Sequence, residues 1–164
     1  MKTKTQGLVL IEMLIYIVIS VVLIAITTYF ILSAYHLYSD TTVRSQADRV
    51  GASIMNQIVR ETREGVAIAS ASSTFNTPSG AVTITTEGAD VEFFLSNGRL
   101  MWEEGASSLA LNPDTHTVTH FYLTQLTTPV STGVRYEIGI TYQTRAGSET
   151  RYYTGFSILR QSYE

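Results

Sequence analysis

The sequence predicts an α+β protein in which one long N-terminal helix packs on an antiparallel β-sheet head. Three observations lead there. Leu8–Leu32 reads LVLIEMLIYIVISVVLIAITTYFIL, an apolar run interrupted by one charge, Glu12. From Val43 to Ile58 the apolar residues Val43, Ala47, Val50, Ile54 and Ile58 recur at spacings of three and four, which is one face of a helix. After Gly65 the pattern changes to alternation, the mark of half-buried strands.

The apolar run is 25 residues long, and a bilayer core takes roughly 20 in a helix. Lys2 and Lys4 precede it closely, and the next basic residue is Arg44. This asymmetry predicts a cytoplasmic N-terminus and a head outside the membrane. Tyr29, Tyr35, His36 and Tyr38 cluster near the outer end, where interfacial aromatics sit. A simple secretory signal has a shorter apolar core of roughly 7–15 residues with a small-residue cleavage site behind it. A simple signal anchor explains the length and the orientation but leaves Glu12 unexplained. A carboxylate inside hydrocarbon costs about 2.5–3.5 kcal/mol on insertion scales, so such residues tend to have a partner and a function. A free α-amino group is a suitable partner, being cationic near neutral pH. Cleavage after Gly7 would create one at Leu8.

Gly7-Leu8-Val9-Leu10-Ile11-Glu12, behind a short leader bearing two lysines, resembles the processing signal of type IV pilins and of type II secretion pseudopilins. The resemblance implies cleavage after Gly7 by a prepilin peptidase, methylation of Leu8 as the new N-terminus, and pairing of Glu12 with a neighbouring subunit's terminal amine during assembly. The family's usual phenylalanine is Leu8 here, and its usual threonine is Val9. The helix also lacks the mid-span proline of many major pilins, which points to a minor pilin or a pseudopilin. The expected organisation is a leader over 1–7, a membrane or filament-core helix over 8–33, its amphipathic continuation over 34–64 and a β-rich periplasmic head over 65–164. Loss of the leader leaves nine Arg against 14 acidic residues, taking the formal charge from −3 to −5.

The continuation carries no proline before Arg63, and only Gly51 interrupts its helical propensity. A helix from Leu8 to Arg63 would run about 84 Å at about 1.5 Å per residue. Asp40, Arg44, Asp48, Arg60 and Glu64 fall at i,i+4 spacings and are expected to form a solvated polar face. In the head, Val66–Ala69 and Val82–Thr86 are short strands around a Ser/Thr/Asn/Pro/Gly loop. Val91, Phe93 and Leu95 alternate up to Asn97-Gly98, a hairpin turn, and Leu100 and Trp102 return. A loop at Asn112-Pro113-Asp114 precedes a strand over Val118–Leu126. Val134–Tyr142 and Tyr152–Ile158 form a C-terminal hairpin, with Tyr152, Thr154, Phe156 and Ile158 carrying its return. The helix-then-meander order is similar to the larger minor pilins and the J- or W-type minor pseudopilins.

No residue pattern supports enzymatic chemistry. There is no cysteine, no phosphate-binding glycine loop and no Gly-x-Ser-x-Gly elbow. His116 and His120, four apart, would share a face on a helix or on a regular strand, but no third ligand accompanies them, so no metal and no cofactor is expected. The net negative charge speaks against nucleic acid as a partner of the head. The expected partners are other pilin or pseudopilin subunits, prepilin peptidase, an inner-membrane assembly platform and the bilayer. The alternative is an uncleaved, membrane-anchored periplasmic binding domain.

Overall fold

The computed structural model of the chain describes residues 3–129 and 131–159, with side chains from residue 10 onward. Its elements are a helix, α1 (Thr3–Glu64), and the strands β1 (Ala67–Ile68), β2 (Ala81–Thr85), β3 (Val91–Ser96), β4 (Arg99–Glu104), β5 (Ser107–Ala110), β6 (His116–Thr127), β7 (Thr132–Thr144) and β8 (Gly147–Ile158). The protein is therefore α+β, as the sequence predicts. Residues up to Thr42 form one compact unit, and Val43–Glu164 form the other.

In the first unit, α1 is apolar on every side. Leu10, Ile17, Ile24 and Leu32 are all more than half exposed. A helix that is hydrophobic all round has no soluble solution except burial in a larger core or in lipid. This helix is long and apolar enough to cross a membrane. Its polar atoms are dealt with locally: the Thr27 hydroxyl donates to the Leu23 carbonyl at 2.8 Å, as a hydroxyl in an apolar surrounding requires.

In the second unit, α1 turns amphipathic where the spacing predicts it. Ala47, Ile54 and Ile58 are buried, with Val50 packed beside them. Val50, Ile54 and Ile58 meet the strands in one core that includes Ile84, Phe93, Leu100, Phe121, Tyr136 and Ile138. Gly51, the weak point in helical propensity, sits where the Tyr153 ring lies on the helix. A Cβ there would meet the ring at 2.6 Å. Gly155 allows the same approach from the strand side, since its Cβ would fall 2.5 Å from Tyr136 and 2.7 Å from Met55.

The head departs from a single meander. β1 to β5 form a five-stranded antiparallel sheet in sequence order, and β6 to β8 form a separate three-stranded one. β5, Ser-Ser-Leu-Ala, has no alternation to announce it and was not expected. The break follows it, at Asn112-Pro113, where Pro113 has no N–H to continue a ladder. Asn112 itself, 1% exposed, bonds both sheets. Its Oδ1 accepts from Leu100 N at 2.8 Å, and its Nδ2 donates to the carbonyls of Gly98 at 3.2 Å and His116 at 2.5 Å. Arg99 and Asp114 make an ion pair beside this junction. The Asn97-Gly98 turn forms as predicted, both residues having positive φ, 49° and 75°.

One expectation about a face fails, for a local reason. The helix face expected to be merely solvated reaches across to β8: Arg44 pairs with Glu149 at 2.8 Å, and Arg151 donates to both oxygens of Asp48 at 2.6 and 2.7 Å. Tyr153 Oη adds a third bond to Asp48 at 2.9 Å. These side chains are 35–49% exposed, so solvent screens both pairs and neither adds much to stability. Apolar burial holds the helix down, and the ion pairs fix its register on β8. The faces of β8 follow from its register. Ile138 pairs with Tyr153 and Tyr136 with Gly155, so it is Tyr153, Gly155 and Ser157 that face the core. Tyr152 and Phe156 point outward, 62% and 49% exposed.

Candidate functional site

The residues singled out by the sequence lie at the start of α1. Gly7 and Leu8 are helical in backbone, and their side chains lie outside the described ones, as do Met1 and Lys2. α1 is continuous from Thr3, so the described part of the segment expected as a leader, Thr3 to Gly7, is helical. Glu12 is exposed on the apolar surface of the helix, between Ile11 (64% exposed) and Met13 (61%). No further charged residue follows until Asp40.

Tyr16 is the neighbour that sequence reasoning missed. Its hydroxyl donates to Glu12 Oε1 at 3.1 Å, one helical turn on. The i,i+4 spacing of Glu12 and Tyr16 was the signal available, because residues at that spacing are neighbours on a helix surface. The bond is a single neutral donor to a carboxylate that accepts several. Among the described residues no cation pairs with Glu12. The arrangement therefore holds one carboxylate oriented along the helix surface and leaves most of its accepting capacity open. In lipid or in a packed helical bundle that capacity would favour a cationic partner from another chain.

Towards the other end of the apolar segment the aromatic residues are exposed, with Tyr29 at 76%, Tyr35 at 68% and Tyr38 at 73%. Tyr35 and His36 meet edge to face, with ring centroids 6.4 Å apart. An aromatic collar of this kind suits the boundary between hydrocarbon and water.

The two histidines of β6 do not share a face. The ladder shifts between Val118 and His120, so the extra residue reverses the parity of the strand. His116 points inward, 4% exposed, against Tyr142, while His120 stacks on Tyr122 on the outer surface and lies 3.5 Å from Glu137. The spacing of the apolar residues, Val118 to Phe121 to Leu123, carried the bulge. Among the described residues no three His, Asp or Glu side chains come together as metal ligands.

His116 is instead a pH liability. Thr115 Oγ1 lies 2.8 Å from Nδ1, and Nε2 is buried without a partner. Burial holds the imidazole below its ordinary pKa of about 6.5. The unfolded chain therefore takes up a proton at a pH where the folded chain does not. Stability from the neutral form is complete above about pH 6.5 and is lost as the pH falls below it. His116→Gln, which cannot titrate, should flatten the fall in melting temperature between pH 7.5 and pH 5. An unchanged slope would show that another group causes the acid loss.

Comparison with known protein families, with curated proteins and with solved structures found no match.

Proposed function

We propose that the chain is a filament subunit of the type IV pilin or type II secretion pseudopilin kind, anchored by α1 in the cytoplasmic membrane before assembly. It is a minor subunit, processed after Gly7, with Leu8 as its methylated N-terminus. The observation that carries it is Glu12. It is the one charged residue between Lys4 and Asp40, held by Tyr16 and lacking a cation among the described side chains. An inert anchor gains nothing from such a residue, which costs about 2.5–3.5 kcal/mol in hydrocarbon. A helix that packs against copies of its own kind gains register from it, since each terminal amine can meet a neighbour's carboxylate. The apolar surface around it supplies cohesion, and the two-sheet head is left to make contacts outside.

The test joins processing to assembly. In cells that carry prepilin peptidase, the intact mass of the protein should correspond to a methylated start at Leu8, and deletion of the peptidase should restore Met1. Glu12→Ala protein should be made and processed, yet enter filaments about tenfold less or worse, the loss expected for a charge-assisted contact of about 1.5–3 kcal/mol. Retention of Met1 in the presence of the peptidase, or normal incorporation of Glu12→Ala, would favour an uncleaved anchored binding domain.

A further inference from the structure

A groove of about 600 Å³ lies between the last turns of α1 and the strands β4 and β5. Its floor is apolar. Trp102 and Leu109 are directly opposed in the β4–β5 ladder and so share the face turned to the helix. Leu111 continues that surface, and Leu109 is 58% exposed. Trp102 and Leu111 are half-buried against the core, and Leu109 beside them is left exposed.

The rim is acidic. Glu61, Glu64 and Glu104 line it, against a single guanidinium, Arg60. Arg60 is already engaged by Glu61 at 3.0 Å, and Glu61 also accepts from Gln57 at 2.6 Å. The carbonyl end of α1 adds its partial negative charge at the same place. A cationic side chain entering the groove would meet two uncommitted carboxylates, a helix C-terminus and an indole face.

The margin is also an open sheet edge. β5 ends the five-stranded order, and among the described residues nothing pairs with its outer side. Ser107 and Leu109 face β4, opposite Glu104 and Trp102, and Leu111 N bonds Leu100 O at 2.8 Å. The alternating parity turns the backbone groups of Ser108 and Ala110 outward. No lysine and no proline guards this edge.

We infer that the groove and the edge of β5 form one docking site for an extended peptide segment bearing Lys or Arg, contributed by another protein. The segment adds as a further strand on β5. Its backbone pairs with Ser108 and Ala110, and alternate side chains drop onto Trp102 and Leu109 beside the carboxylates. A strand of four residues offers few backbone bonds, so the charge and the apolar floor must supply selectivity. Charge complementarity names the occupant as a basic segment of another protein: the rim carries Glu61, Glu64 and Glu104, and this chain's own head is acidic overall, with five Arg against nine acidic residues from Gly65 onward. The inference goes beyond the filament reading and holds whether or not the chain is processed.

The test uses the full chain in lipid nanodiscs with two probes, acetyl-Lys-Val-Lys-Val-Lys-amide and its Glu-for-Lys counterpart. The basic peptide should slow amide exchange at Ser108 and Ala110 at least tenfold and bind more weakly as salt rises. The acidic peptide should leave both amides unchanged. Ser108→Pro removes an outward N–H that no ladder bond uses, and it should abolish the protection at Ala110. The pair Glu64→Gln and Glu104→Gln alters only exposed side chains and should weaken the basic peptide about tenfold. Protection by both peptides alike, protection confined to β8, or binding that survives both sets of changes would each overturn the inference.

Discussion

Asn112→Ala should destabilise the head by about 2–4 kcal/mol, which is among the largest effects open to a single polar side chain here. The residue is 1% exposed and makes three bonds across the junction of the two sheets. Its removal leaves the Leu100 N–H and the His116 carbonyl buried without those bonds, at about 1–3 kcal/mol for each group left unsatisfied. The Gly98 carbonyl suffers less, because Val118 N also donates to it at 2.9 Å. Asn112→Asp sharpens the test. It keeps an acceptor for Leu100 but places a carboxylate against two carbonyl oxygens, so it should be no more stable than the alanine variant. Trp102, the only tryptophan in the chain, reports the unfolding by fluorescence in urea. A cost below about 1 kcal/mol would mean that the core alone joins the sheets.

Ile58→Ala should cost about 2–5 kcal/mol, and Ile58→Val about 0.5–1.5 kcal/mol. Ile58 is 1% exposed, and with Ile54 it carries the helix into the shared core. The range reflects how far the site can close after truncation, and the facing residues of a core built from both sheets and the helix have little freedom to follow. Leu37→Ala is the control. Leu37 is 71% exposed on the same helix and should change the unfolding of the head by no more than about 0.5 kcal/mol. The contrast is measured in the same urea titration. If Ile58→Ala unfolds like the control, the helix is not part of the cooperative unit.

Both residues also show how far local pattern carries. Ile58 was legible because a helix face repeats every three to four residues, and burial follows that repeat. Asn97-Gly98 was legible because few residues tolerate positive φ at two successive positions. Glu12 was legible because a charge in an apolar run is costly wherever the run ends up. Asn112 was visible as part of a turn but not as a junction, since its three partners lie 4 to 14 residues away. Tyr16 stood one turn from Glu12 and could have been read from spacing alone.

Residue chemistry and short-range periodicity thus account for the apolar helix, its amphipathic second half, the alternating strands and the exposed carboxylate. Each depends on contacts within a few residues or on transfer out of water, and both are properties of the chain itself. Folding in three dimensions decided the division into two sheets, the outward turn of Tyr152 and Phe156, the separation of His116 from His120 and the reach of Arg44 and Asp48 to β8. Those depend on register. One extra residue at a bulge reverses every face beyond it, and a glycine's value appears only when a ring such as that of Tyr153 is packed on it. The groove beside β5 belongs to the same group, because a site bounded by residues 53–64 on one side and 102–111 on the other exists only after the helix has settled on the sheet.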